Sequence, residues 1–326
     1  MNNMTKEVDL LEYAAHKESV KNTARKGLNV LTFLGPYTIT FLLFFVFPLV
    51  LGIIIAFSGF DGKTMFPKSF VGFDNFKVIF TNKVVARDFW NSVWTTIKFC
   101  LVIVPFSILI PLGLALLINT KCKGYKVFRA IIYVPGIFPL TATGLILLRM
   151  FGYQYGWINS FFNLTVDWFG EVHATWFMVG FFCLWCGIGG NFIILCAGLE
   201  NVDKTLYEAA GVDCCNAWSK FWHVTLPGIK SQLFLVLFTT FIGYMNVYGQ
   251  LFILASDNSD PSLRSAVYRI QNILVGSSKG YGYAAAMGLM LGLIIIVIAI
   301  IQLQIDKERK VGHKRKDEFN TWKKNH

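Results

Sequence analysis

Six stretches of this chain, 28–57, 93–118, 128–151, 174–198, 232–254 and 283–305, are long and overwhelmingly apolar, and none contains an Asp or a Glu. About twenty such residues cross a bilayer as a helix. Hydrocarbon offers no partner to a backbone N–H or C=O, so the polar segments between the runs must lie outside the lipid. Only 15% of the residues are charged, against about 25% in soluble domains. The chain is therefore expected to be an all-α polytopic membrane protein with six transmembrane helices. Pro36 and Pro48 punctuate the first run, Pro105 and Pro111 the second, and Pro135 and Pro139 are expected to distort the third.

The formal charge of +11 is unevenly placed. Lysine and arginine gather in residues 1–27, in 121–129 and after Asp306. Cytoplasmic loops retain such residues, which puts both termini inside and the segments 58–92, 152–173 and 255–282 outside. Asp167 and Glu171 sit in 152–173 without a Lys or Arg. The basic clusters thus have a membrane explanation, and no aromatic and basic interleaving for nucleic acid accompanies them. An amphipathic helix around 10–20 would lie on the membrane surface or against a partner. The first run follows about thirty polar residues and is long enough to remain as an anchor rather than a cleaved signal.

Several tempting signals fail. Cys183 and Cys186 imitate a redox pair, yet they sit in an apolar helix, where small residues pack. The other five cysteines, Cys100, Cys122, Cys196, Cys214 and Cys215, fall in spans or on the cytoplasmic side, so no disulfide framework is expected. Gly62-Lys63-Thr64 lacks the upstream glycine of a phosphate loop, since position 57 is Phe57. The spans hold no His and no paired carboxylates, which leaves nothing for a proton relay, a metal or an intramembrane enzyme. Arg149 stands near the outer end of the third span, where an interfacial anchor is the simplest role.

The polar stretch 207–228, Y-E-A-A-G-V-D-C-C-N-A-W-S-K-F-W-H-V-T-L-P-G, reads as two short helices. Leu206, Ala209, Ala210 and Asp213 fall at helical spacing, Cys214 to Asn216 make the bend, and 218–224 resume before Pro227. Glu208-Ala209-Ala210, Asp213 and Val224-Thr225-Leu226-Pro227 closely resemble the EAA loop of binding-protein-dependent ABC importer permeases. Gly156-Trp157-Ile158-Asn159 and Gly280-Tyr281-Gly282-Tyr283-Ala284-Ala285-Ala286 are similar to further motifs of that family's carbohydrate-uptake branch, resembling the maltose permeases. The residues 256–260 lack the usual G-G-P. Cys214 stands where the family has glycine, the residue best suited to positive φ.

The resemblance implies a type I ABC importer permease fold and a loop that docks on a separate ATPase through Tyr207, Glu208, Ala209, Ala210, Asp213, Cys214 and Pro227. It implies partners as well: a second homologous permease, an ABC ATPase dimer carrying ATP and Mg, and an extracytoplasmic solute-binding protein. No cofactor is expected in this chain, which is a transport subunit of the bacterial cytoplasmic membrane and not an enzyme. The expected organisation is a cytoplasmic segment 1–27, a permease domain 28–305 with its coupling loop at 200–230, and a basic tail 306–326.

A neutral polyol needs aromatic surfaces and uncharged donors and acceptors. In the sugar permeases such contacts come from the fourth and fifth spans. The corresponding residues are Cys183, Gly187, Gly190 and Asn191 on one face of the fourth, and Thr240, Tyr244 and Val247 at i, i+4 and i+7 of the fifth, bordered by Tyr248. Packing through small and aromatic residues accounts for the same pattern. The expected cargo is a carbohydrate, a di- or oligosaccharide. Import of a phosphorylated sugar or a polyamine, and an ATPase-independent transporter, remain as alternatives.

Overall fold

The structure, a computed structural model, describes residues 32–64, 67, 69–120, 123–255, 260–276 and 280–325, with backbone alone at 261 and from 308 onward. The expected helix at 10–20, the first residues of the first span, Cys122 and most of 256–260 lie outside the described residues. Within them, regular structure is helical apart from one isolated bridge between Ser58 and Phe70.

The first span is α1, Thr32–Ala56. The segment that follows folds α2, Asp74–Thr81, and then enters α3, Lys83–Asn119. That helix starts ten residues before the apolar run. Asn82 explains the early start, because its side chain accepts from the N–H groups of Val84 and Val85, each at 3.1 Å. At 1.5 Å per residue α3 is about 55 Å long, well beyond the roughly 30 Å of hydrocarbon, so its Lys83 end stands clear of the lipid. It continues unbroken through Pro105 and Pro111.

The third span is not one helix. Tyr125–Tyr133 (α4) runs into a 3-10 turn, Val134–Ile137, and turns by 96° before α5, Leu140–Met150. Phe138 and Pro139 are extended there, as the residues around a proline prefer. The break lets α4 press onto α7, Val172–Glu200, which follows the short helix α6, Trp157–Phe162. A Cβ on Gly136 would come within 2.9 Å of the Cys186 carbonyl, and one on Gly189 within 3.0 Å of Tyr133 Cα. Small residues permit this close approach.

The expected coupling region folds α8, Lys204–Val212, and α9, Ala217–Gly228, which bends by 68° into α10, Lys230–Met245. The expected continuous fifth span stops here. Asn246 folds its side-chain amide back onto the Ile242 carbonyl at 2.8 Å, and Asn246 and Val247 close tight turns onto Gly243 and Tyr244. The chain resumes helix as α11, Gly249–Leu254. Val247 therefore lies past the end of α10 and does not share its face with Thr240 and Tyr244. After α12, Ala266–Gly276, the last helix α13 runs Gly280–Asn325, so the basic tail continues the sixth span as helix. Among the described residues, four helices are long and apolar enough to cross a membrane, or up to six spans if each bent pair counts as one.

Three apolar clusters hold these elements. One joins α1, α2, α3, α10, α12 and α13 through residues such as Ala56, Ile79, Phe89 and Met287. A second ties α3 and α7 to the coupling region around Phe192, Leu195 and Ile229. A third packs α5 and α11 on α7 around Phe182, Met178 and Leu251. Half of the α7 apolar window is buried against 6% for α1, which makes α7 the central post.

Candidate functional site

The hairpin of α8 and α9 is built from side-chain caps. Asp203 caps α8 by accepting from Thr205 N–H at 2.9 Å, and that bond holds its carboxylate below its ordinary range. Asn216 caps α9 by accepting from Ser219 N–H at 2.7 Å. Between them Cys215 N–H reaches the Ala210 carbonyl at 3.0 Å and Cys214 N–H the Gly211 carbonyl at 3.1 Å. These two bonds make a Schellman ending, whose pivot residue must be left-handed. Cys214 takes that role at φ 53°.

Across the hairpin, the hydroxyls of Tyr207 and Thr225 lie 2.9 Å apart, with Thr225 buried. Glu208, Ala209, Asp213, Cys214 and Pro227 are exposed, and Ala210 is half-buried. Trp218, Phe221 and Trp222 form an aromatic group beside them. A cavity of about 510 Å³ opens where Tyr207 and Phe221 face Leu116 and Asn119 of α3. The hairpin thus sits at the Asn119 end of α3.

The residues expected to border a pathway fall into two groups. Cys183, Gly187, Asn191, Thr240 and Tyr244 come together in one cluster between α3, α7 and α10. Asn191 Nδ2 donates to the Ser107 carbonyl at 2.9 Å and to Thr240 Oγ1 at 3.0 Å. Tyr244 donates its hydroxyl to the Cys183 carbonyl at 3.2 Å and lies 3.0 Å from Ser107 Oγ. Gly187 makes room for it, since a Cβ there would stand 3.0 Å from that hydroxyl. Gly190, Val247 and Tyr248 lie apart. Gly190 is exposed with open space around it, Val247 is buried in the α5–α11 cluster, and Tyr248 is half-buried against Phe252 and Tyr268.

Ser107 belongs to this cluster and sequence reading missed it. A signal was present: Pro111, lacking an N–H, frees the carbonyl four residues earlier, which is that of Ser107. Asn191 supplies the donor. Arg149 is exposed in the last turn of α5, as an anchor would be.

The family model described as the binding-protein-dependent transport system inner membrane component matches residues 107–311. The chain belongs to this family. The permease is 29% identical over 259 residues to the arabinooligosaccharides transport system permease protein AraP of Bacillus subtilis (strain 168), covering 77% of this chain and 80% of that protein. It is 27% identical over 254 residues to the sulfoquinovosyl glycerol transport system permease protein SmoG of Agrobacterium fabrum, with 76% and 81% covered. Among solved structures, a chain of a bacterial ABC transporter involved in the import of the acidic polysaccharide alginate superposes with a TM-score of 0.76 at 21% identity, covering 88% of this chain and 98% of that one. This is the same fold. The protein is a multi-pass inner-membrane permease of a binding-protein-dependent ABC importer, working with an ATPase and a binding protein and performing no catalysis itself. The ATPase-independent alternative is thereby set aside.

Proposed function

We propose that this permease imports a carbohydrate, a di- or oligosaccharide, as one half of a heterodimer with a second homologous permease. The observation that carries the coupling role is the capped hairpin, which exposes Glu208 and Ala209 while the Tyr207–Thr225 contact binds its two helices together. Its ends continue directly into α7 and α10. A motion imposed on the hairpin by ATPase closure therefore reaches the two helices joined by Asn191, Thr240 and Tyr244. Alternation between two states then follows from the different contacts that ATP and the loaded binding protein make with each.

The carbohydrate reading rests on the absence of Asp and Glu from the apolar runs and on the sugars named for similar proteins. A polyamine would call for intramembrane acids, and none of the apolar runs has one. We assign Cys183, Gly187, Gly190, Asn191, Thr240, Tyr244 and Tyr248 to the pathway wall or its immediate support; Val247, buried in the α5–α11 cluster, is left out.

In the reconstituted importer, Glu208→Lys is expected to abolish sugar uptake while the permease pair still assembles, because a cation replaces the carboxylate on the docking face. Normal uptake by that variant would remove Glu208 from coupling. Substrate class is read from ATPase stimulation by binding proteins loaded with a panel of sugars, and stimulation by non-sugar solutes alone would sink the carbohydrate assignment.

A further inference from the structure

At the end of the bundle opposite the coupling hairpin, a cavity of about 430 Å³ opens beside the protruding first turns of α3. That volume falls within the range of small-molecule sites, roughly 300–1,000 Å³. Arg87, Asn91, Trp94 and Lys98 line it at i, i+4, i+7 and i+11, one face of the helix. Arg264 and Arg269 close the other side. Lys98 Nζ lies 5.5 Å from the centroid of Trp94, which is itself more than half exposed.

The charge is unbalanced. Arg269 is paired through Nη2 with Asp88 Oδ2 at 2.9 Å, and Asp260 lies in the field of Arg264. Among the described residues, four cations stand against those two carboxylates. The side chain of Arg269 is only 14% exposed, and its Nε is buried without a hydrogen-bond partner. A guanidinium presents its terminal donors in a planar fork that matches the two oxygens of a carboxylate. Burial draws the Arg269 guanidinium below its ordinary range, with Asp88 opposing and Arg264 adding to the effect.

We propose that this cavity is an outer-vestibule subsite for an acidic saccharide unit, a sugar ring carrying a carboxylate. The guanidiniums of Arg269 and Arg87 would receive the carboxylate, and Asn91, Thr95 and Ser262 line the same cavity with uncharged groups suited to ring hydroxyls. Trp94 adds the apolar surface that a sugar ring needs and a bare anion does not. The inference deepens the carbohydrate-importer reading and rests on it.

The test uses the complete importer in lipid nanodiscs and equilibrium dialysis with two probes that differ by one carboxylate, D-galacturonate and D-galactose. Galacturonate is expected to bind at least about tenfold more tightly, the worth of one charge-assisted hydrogen bond. Arg87→Gln, and separately the charge-neutral pair Asp88→Asn with Arg269→Gln, should bring that preference down to near unity. Copurification of the ATPase confirms that each variant assembles. Equal binding of the two sugars, no binding of either, or an undiminished preference in both variants overturns the proposal. Competition by inorganic phosphate as strong as that by galacturonate also overturns it, leaving an anion site with no use for a ring. If the variants weaken only the docking of the binding protein, the cavity serves that protein's carboxylates and the saccharide assignment is wrong. ATP-driven uptake of a neutral oligosaccharide is measured alongside; its persistence would leave the importer reading intact while this inference fails.

Discussion

Cys214 carries the sharpest consequence at the scale of a single residue. A left-handed residue with a Cβ costs roughly 1–2 kcal/mol relative to the ordinary helical region, a cost that glycine avoids. The Schellman bonds on either side fix Cys214 in that conformation at φ 53°. Cys214→Gly is therefore expected to stabilise the hairpin by about 1 kcal/mol. Hydrogen exchange at the amides of Cys214 and Cys215 should slow by about fivefold. Cys214→Val, with a branched Cβ, should move exchange the other way. Exchange that is unchanged or faster in the glycine variant would show that the bend stores no such strain. The position of this bend was legible, because polar residues after a helical A-A spacing leave no other place to turn. Ser107 was less legible, since its role depends on a carbonyl freed by Pro111 and on a donor 84 residues away.

Among the elements, the sequence pattern anticipated a helix at each apolar run and the distortion of the third at Pro135 and Pro139, and it misjudged where the second begins and where the fifth breaks. Apolar runs report what lies in lipid, whereas helix ends answer to caps and to local turns. Asn82 lengthened α3, Pro135 and Pro139 split α4 from α5, and Asn246 ended α10 in the middle of an apolar run. The last break frees the carbonyl of Val247, which Ser265 Oγ satisfies while also accepting from Tyr268 N–H at 3.2 Å as the cap of α12. One hydroxyl thus secures both the break and the next helix. Ser265→Ala removes the cap and orphans a buried acceptor, and about 2 kcal/mol of stability should be lost. Thermal unfolding in detergent measures this, with Ser265→Thr as the control that restores the hydroxyl. An Ala variant as stable as the parent would mean that the α10–α11 break is held by apolar packing alone.

For the whole molecule, orientation decides what each end does. Along α3 the coupling hairpin faces Leu116 and Asn119 whereas the cationic cavity faces the stretch from Arg87 to Lys98, about 27–48 Å away at 1.5 Å per residue, so the two lie toward opposite ends of the bundle. We propose that the hairpin lies inside, because lysine and arginine cluster at 121–129 and after Asp306 whereas 152–173 holds Asp167 and Glu171 with no basic residue. The chain carries its own reporter of this arrangement. Cys214 is exposed on the hairpin, while Cys100, Cys183 and Cys196 are buried within the bundle. On the outer side Tyr155 is 87% exposed, which makes Tyr155→Cys a minimal second reporter. A membrane-impermeant maleimide added to intact cells should leave the parent chain unlabelled and should label Tyr155→Cys. Inverted vesicles should give the opposite pattern, with Cys214 reacting and the introduced thiol protected. Labelling of Cys214 from outside would reverse the orientation, and with it both the docking role of the hairpin and the access of any external saccharide to the cavity at Arg269.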